Sequence, residues 1–169
     1  MHTLETCCYF PHAPGMAYDW PGRPRRMAVN ERALWNTYRA AHPDAADEVW
    51  YDAQIPRRVG DHIHPPTLAE TYEAAMTRGW AQLTCLRADV IARKGTTYRV
   101  IEVHRQTREG EYGRLLRYDW LARELWPALK WGRPLLITDS IPVWPVNTGD
   151  WSRVDVWTTD GMQGAGLMR

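Results

Sequence analysis

Between residues 81 and 105 the chain runs through two apolar stretches, AQLTCLRADVIAR and YRVIEVHR, joined by a KGTT turn at 94–97. Two such runs joined by so short a turn read as adjacent antiparallel strands. Each is interrupted by one acid, Asp89 in the first and Glu102 thirteen positions later in the second. A carboxylate inside an apolar strand is costly unless it is paired or holds a cation. Whatever surrounds this hairpin must therefore form a core on its apolar residues and solve the problem of its two acids.

The flanks supply the other layers. Residues 1–28 hold Pro11, Pro14, Pro21 and Pro24 with Gly15 and Gly22, and end in Arg23, Arg25 and Arg26, which predicts an irregular arm that packs on its own domain or on a neighbour. From Asn30, a candidate N-cap, Leu34, Tyr38 and Ala41 recur at helical spacing until Pro43. EVWYDAQI at 48–55 reads as a strand, and PRRVGDHIHPP after it as a loop. Thr67 caps a second helix over 68–80, with Leu68, Tyr72, Ala75 and Met76 on one face and Gly79 at its end. Past the hairpin comes a polar loop at 106–113, then a helix with a stripe of Leu115, Leu116, Trp120, Leu121 and Leu125. RPLLITD at 133–139 reads as a buried strand, SIPVWPV and WSRVDVWTT as a C-terminal hairpin around 147–150, and 161–169 as a loose tail. The expected fold is α/β (α+β), one domain over 29–160 with a central mixed sheet flanked by helices.

Composition narrows the partners. The formal net charge is +1 with 24% charged residues, too balanced for a general nucleic-acid or membrane binder, so any DNA contact must be local. Ten tryptophans against one phenylalanine point to assembly contacts, since tryptophan is enriched in interface cores. Cys7, Cys8 and Cys85 form neither a disulfide framework nor a C-x-x-C metal pattern. With no leader pattern and no long apolar window, the expected setting is the cytoplasm or a virion, away from membranes.

The order helix, strand, turn, strand, helix, strand across 67–139, with Asp89 in the first strand and Glu102 in the second, resembles the core of the PD-(D/E)xK superfamily, the restriction-endonuclease-like fold. The resemblance covers somewhat under half of the chain. It implies that Asp89, Glu102 and the Val103 carbonyl hold Mg²⁺, which positions water and stabilises charge developing on a phosphodiester. The family's lysine, two residues after the glutamate, is here His104, a shorter group that can act as base or ligand. Glu70 or Glu73 would supply the further carboxylate that many relatives carry on the preceding helix, although both suit a solvated face equally well. Arg114-Leu-Leu-Arg117-Tyr118 is similar to the Q-x-x-x-Y element of the RecB-like branch with arginine in place of glutamine, implying that Arg114, Arg117 and Tyr118 contact nucleic acid.

The competing reading of the acids is a sheet laced with ion pairs, Asp89 and Glu102 meeting Arg87, Arg99 or Arg105 and no metal. Asp61-His-Ile-His64 offers an H-x-H pair with no third ligand nearby in sequence and reads as a polar loop. Walker, G-x-S-x-G and H-E-x-x-H motifs are missing, which argues against NTPases, α/β-hydrolases and common metalloproteases. With the lysine replaced, the first expectation is an assembly protein on a nuclease-like fold, such as a phage head–tail (neck, adaptor or completion) component. It would bind neighbouring subunits as a homo-oligomer or ring, with DNA as a further candidate partner. The alternative is a Mg²⁺-dependent DNA endo- or exonuclease acting through Asp89, Glu102 and His104. A toxin- or immunity-type protein on the same fold is a third reading.

Overall fold

The computed structural model describes residues 9–24, 26–57, 71–106, 109–139 and 153–159. Cys7, Cys8, the H-x-H pair, Thr67, Leu68, Glu70, the first half of the C-terminal hairpin with its turn, and the tail lie outside the described residues. The elements are β1 (Met16–Ala17), α1 (Val29–Ala41), β2 (Glu48–Ile55), α2 (Tyr72–Thr84), β3 (Leu86–Lys94), β4 (Thr97–His104), α3 (Glu109–Leu125), β5 (Lys130–Trp131), β6 (Leu135–Thr138) and β7 (Asp155–Thr158). They make a mixed α/β fold around a seven-stranded sheet in the order β1-β2-β3-β4-β6-β7, with β5 also on β4. β1, β2, β3 and β4 pair antiparallel in succession, whereas β5 and β6 run parallel to β4 after the α3 crossover and β7 runs parallel to β6.

Two cores lie on the two faces of the sheet. Leu34, Trp35 and Tyr38 of α1 pack with Val49, Tyr51, Val90, Ile101, Val103 and Ile137. Tyr112, Leu115, Tyr118, Leu121 and Ala122 of α3 pack with Trp50, Ala88, Ile91, Val100 and Leu136. Buried on both faces, β6 has all four residues in the interior, as its unbroken apolar run requires.

Several boundaries differ from the sequence expectation. The first helix is capped at Ala28, not Asn30: the Glu31 carboxylate accepts the Ala28 N–H at 2.9 Å, and Asn30 lies within the first turn. The second helix continues through Gly79 to Thr84, because a glycine at an open surface weakens a helix without ending one; a Cβ there would meet no atom within 4 Å. Its extension takes residues 81–84 out of the predicted strand. α3 begins at Glu109, inside the predicted polar loop, and Trp120 of its expected stripe is exposed. The described half of the C-terminal hairpin, β7, adds to β6.

The proline-rich arm packs on its own domain. Phe10 is buried at the centre of an aromatic box, its ring edge-on to Trp50, Tyr98, Trp126 and Trp131 at 4.8–5.8 Å. Gly15 permits this approach: its N–H donates to the Glu48 carboxylate at 2.7 Å, and an added Cβ would fall 2.7 Å from the Val49 carbonyl oxygen. The tryptophans follow the same logic. Trp35 and Trp50 are buried with their N–H groups donating to the Tyr51 hydroxyl and the Ala13 carbonyl, while Trp20, Trp126, Trp131 and Trp157 pack against the cores. Trp80 and Trp120 are the exposed ones among the described residues.

Candidate metal centre

The β3–β4 ladder runs in register from Lys94↔Thr97 to Val90↔Ile101 and stops before Asp89. On the other side of β3, pairing with β2 steps from Tyr51↔Val90 to Ala53↔Ala88, passing over Asp52 and Asp89. Asp52 sits in the left-handed region at φ 52°, where aspartate is one of the residues best tolerated. The strands thus separate at Asp89, and side chains replace the lost ladder: Asp89 N–H donates to Glu102 Oε1 at 3.1 Å, and Val103 N–H donates to Asp89 Oδ2 at 2.9 Å. The register is unchanged across the gap, so Asp89 lies opposite Glu102 where the ladder opens.

Glu102 and His104, two apart on β4, point the same way. His104 Nε2 lies 3.2 Å from Glu102 Oε2, and one donor atom from each of Asp89, Glu102 and His104 falls within 4.8 Å of the others. The Glu102 side chain is 2% exposed and that of His104 15%. Burial, then the nearby Glu102 carboxylate, pushes Asp89 up to about 8; the Val103 N–H and His104 pull the other way. His104 is lowered by burial but more strongly raised by its contact with Glu102 and by the charges of Asp89 and Glu31, so its net shift is upward.

A third carboxylate, which the sequence did not single out, faces the cluster from α1. Glu31 Oε1, in the first turn of α1, is 3.5 Å from His104 Nδ1. The chain separation of the two residues hides this contact from any local reading, and the local signal, a glutamate three residues into a helix, is weakened by alanine at the cap. Glu73, the expected source of the extra carboxylate, is exposed in the first turn of α2 and is not part of the cluster.

The arginines of the ion-pair alternative go elsewhere: Arg99 meets Asp155 at 3.0 Å and Arg105 meets Asp139 at 2.8 Å. Arg87 contributes charge to the half-buried Asp52, whose pKa is raised by burial despite a hydrogen bond from the Arg26 backbone. Among the described residues, the ion pairs reaching the cluster are those of His104 itself. Tyr118 is buried close enough for Glu102 and Asp89 to act on it; burial first, then Glu102, raises its pKa, while Arg114 and the Arg87 backbone oppose. Arg114 and Arg117 are exposed on α3.

Two carboxylates and one imidazole, with Glu31 behind the imidazole, make a donor set that suits a divalent cation. Asp89 Oδ2 and Glu102 Oε1 each take one backbone N–H, and no donor reaches Asp89 Oδ1 among the described residues. The residues therefore fit the group that the resemblance implies. Set beside protein-family models, curated proteins and solved structures, the chain finds no match in any of the three. Among the described residues, no helix is long and apolar enough to cross a membrane.

Proposed function

We propose that the protein is a metal-dependent deoxyribonuclease of the PD-(D/E)xK type, with Asp89 and Glu102 holding the cation and His104 standing where such enzymes carry lysine. The observation that carries this reading is the convergence of Asp89, Glu102 and His104 at the one point where the β3–β4 ladder opens. The order α2, β3, β4, α3, β6, with β6 parallel to β4, supports it as the arrangement expected of that core. A divalent cation held there supplies Lewis-acid stabilisation of a phosphodiester and an activated water. The chain's own residues do the rest. Asp89 and Glu102 are fixed through backbone N–H groups, Tyr118 closes the buried side, and Arg114 and Arg117 offer guanidinium groups to DNA phosphates.

The test is cleavage of linear and circular DNA by the purified protein with Mg²⁺ or Mn²⁺, beside an Asp89→Ala/Glu102→Ala variant. Cutting by the wild type that vanishes in the variant is the expected result. A folded wild type that cuts neither substrate overturns the proposal. A second reading, a phage head–tail assembly protein on the same fold, is supported by Met76, Trp80 and Leu83, which lie exposed at helical spacing along α2. In that reading the chain binds neighbouring subunits and DNA, and light scattering finds a ring or other homo-oligomer that an Asp substitution at Trp80 disperses.

A further inference from the structure

We propose that His104 is itself a ligand of the cation and that Glu31 positions its ring, so that the site selects a borderline transition ion such as Mn²⁺ or Zn²⁺ over Mg²⁺. The inference rests on the reading of Asp89 and Glu102 as a cation site and deepens it by naming the third ligand and the class of metal.

The geometry starts at the α1 N-terminus. Glu31 is pinned there, because its Oε2 accepts the Ala28 N–H at 2.9 Å. Its other oxygen, Oε1, is the atom that faces His104 Nδ1 at 3.5 Å. With a carboxylate fixed beside Nδ1, the ring can keep a proton on that nitrogen while Nε2 offers its lone pair to a cation on the opposite side of the ring. That side is occupied by Glu102 Oε2 at 3.2 Å. In the metal-free protein a proton on Nε2 bridges the two as a hydrogen bond, and a cation held by Glu102 and His104 would take the place of that proton. A carboxylate, an imidazole and a metal in line is the outer-sphere pattern that commonly orients ligating histidines. Lysine at this position has no lone pair to offer when charged, so the substitution changes what the position can do.

The consequence for the metal follows from donor chemistry. Mg²⁺ favours oxygen donors in a strict octahedron and keeps much of its water, whereas Mn²⁺ and Zn²⁺ accept imidazole readily. A donor set of Asp89, Glu102 and His104 adds affinity for the second group and little for the first. Glu31 touches no metal in this arrangement and acts through His104, as a positioning residue.

The experiment is titration calorimetry of the full chain with Mn²⁺ and, separately, Mg²⁺, together with pulsed electron-spin-echo spectroscopy of bound Mn²⁺, which reads a directly coordinated ¹⁴N. The wild type should show the ¹⁴N coupling. His104→Gln should lose it and bind Mn²⁺ at least about tenfold more weakly with Mg²⁺ affinity nearly unchanged, and Glu31→Gln, which keeps a cap for Ala28 N–H, should weaken Mn²⁺ about tenfold. Circular dichroism confirms that each variant is folded, and His104→Ala serves if the glutamine variant is not. Mn²⁺ binding that needs Asp89 and Glu102 but shows no ¹⁴N coupling and is unchanged in His104→Gln overturns the inference and leaves the cation site standing. Mn²⁺ binding equally tight in Asp89→Asn/Glu102→Gln overturns both.

Discussion

The two ends of the β3–β4 hairpin treat charge in opposite ways. At the turn end Glu48, Asp47 and Asp155 each have a basic partner: Glu48 with Arg93 at 2.9 Å, Asp47 with Lys94 at 2.8 Å, and Asp155 with Arg99 at 3.0 Å and Arg133 at 3.3 Å. At the far end Asp89 and Glu102 meet each other, two backbone N–H groups and His104. The first arrangement is complete as it stands, and it stabilises a sheet. The second brings two carboxyl groups together in a buried place, where Asp89 holds a proton that a cation would displace, and it becomes complete with that cation. One hairpin thus holds both solutions that its sequence allowed, ion pairing at one end and a cation site at the other.

The comparison predicts its largest contrast in a single variant. Asp89→Asn/Glu102→Gln should lower Mn²⁺ affinity on the order of 100-fold or more, since loss of outer-sphere partners alone costs up to that much. The same variant should melt no lower than the wild type at pH 8 without metal, because it replaces a buried carboxyl pair whose ionisation burial and proximity disfavour by neutral amides. Calorimetry and thermal melts measure the two halves. A metal-free variant that melts far below the wild type would mean that the carboxylates are structural after all, like those at the turn end.

The pH dependence of the metal-free protein sharpens the same point. Asp89 titrates in the folded protein at about 8 against 3.8 ordinarily, so between those values the folded state keeps a proton that the unfolded chain releases. Its stabilising effect is full below about pH 4 and is lost as pH rises through about 8. His104, also raised from 6.5, acts in the same direction. The melting temperature should therefore fall by roughly several degrees from pH 5 to pH 8. Asp89→Asn should flatten that slope, and saturating Mn²⁺ should do so as well. The groups at the turn end give the control, since Asp47 is lowered by its hydrogen bonds from Lys94 and Gly95 and so favours the folded state as pH rises.

Much of this end of the molecule was legible in advance, for reasons that the same comparison shows. A turn of four residues fixes the register of what it joins, so β3, β4 and the opposition of Asp89 to Glu102 follow from local pattern. EVWYDAQI was likewise legible as β2 to the residue. What the pattern could not show is the break in the ladder at Asp89, or that Asp52 beside it on β2 adopts φ 52°. Nor could it show Glu31, brought to His104 by the docking of α1 through Trp35 and Tyr38. The tryptophan count could not show how the bulk is divided: Trp50, Trp126 and Trp131 box in Phe10 and bury the arm, while Trp80 and Trp120 lie exposed. At Gly79 local propensity was overruled, and α2 runs one turn further.

The smallest effect is expected at the turn end, where the arrangement is complete. Asp155→Asn keeps the side-chain shape and removes the charge that Arg99 and Arg133 share. Both guanidinium groups are more than a third exposed, so solvent already screens them, and the loss should be about 1 kcal/mol in urea denaturation. Because Asp155 pairs with Arg99 and Arg133, neither of which belongs to the cluster of Asp89, Glu102 and His104, Mn²⁺ affinity should stay within twofold of the wild type. A variant that loses metal affinity along with stability would show that the two ends are coupled through the sheet. The cation site would then owe its geometry to the ion pairs and not to the break at Asp89.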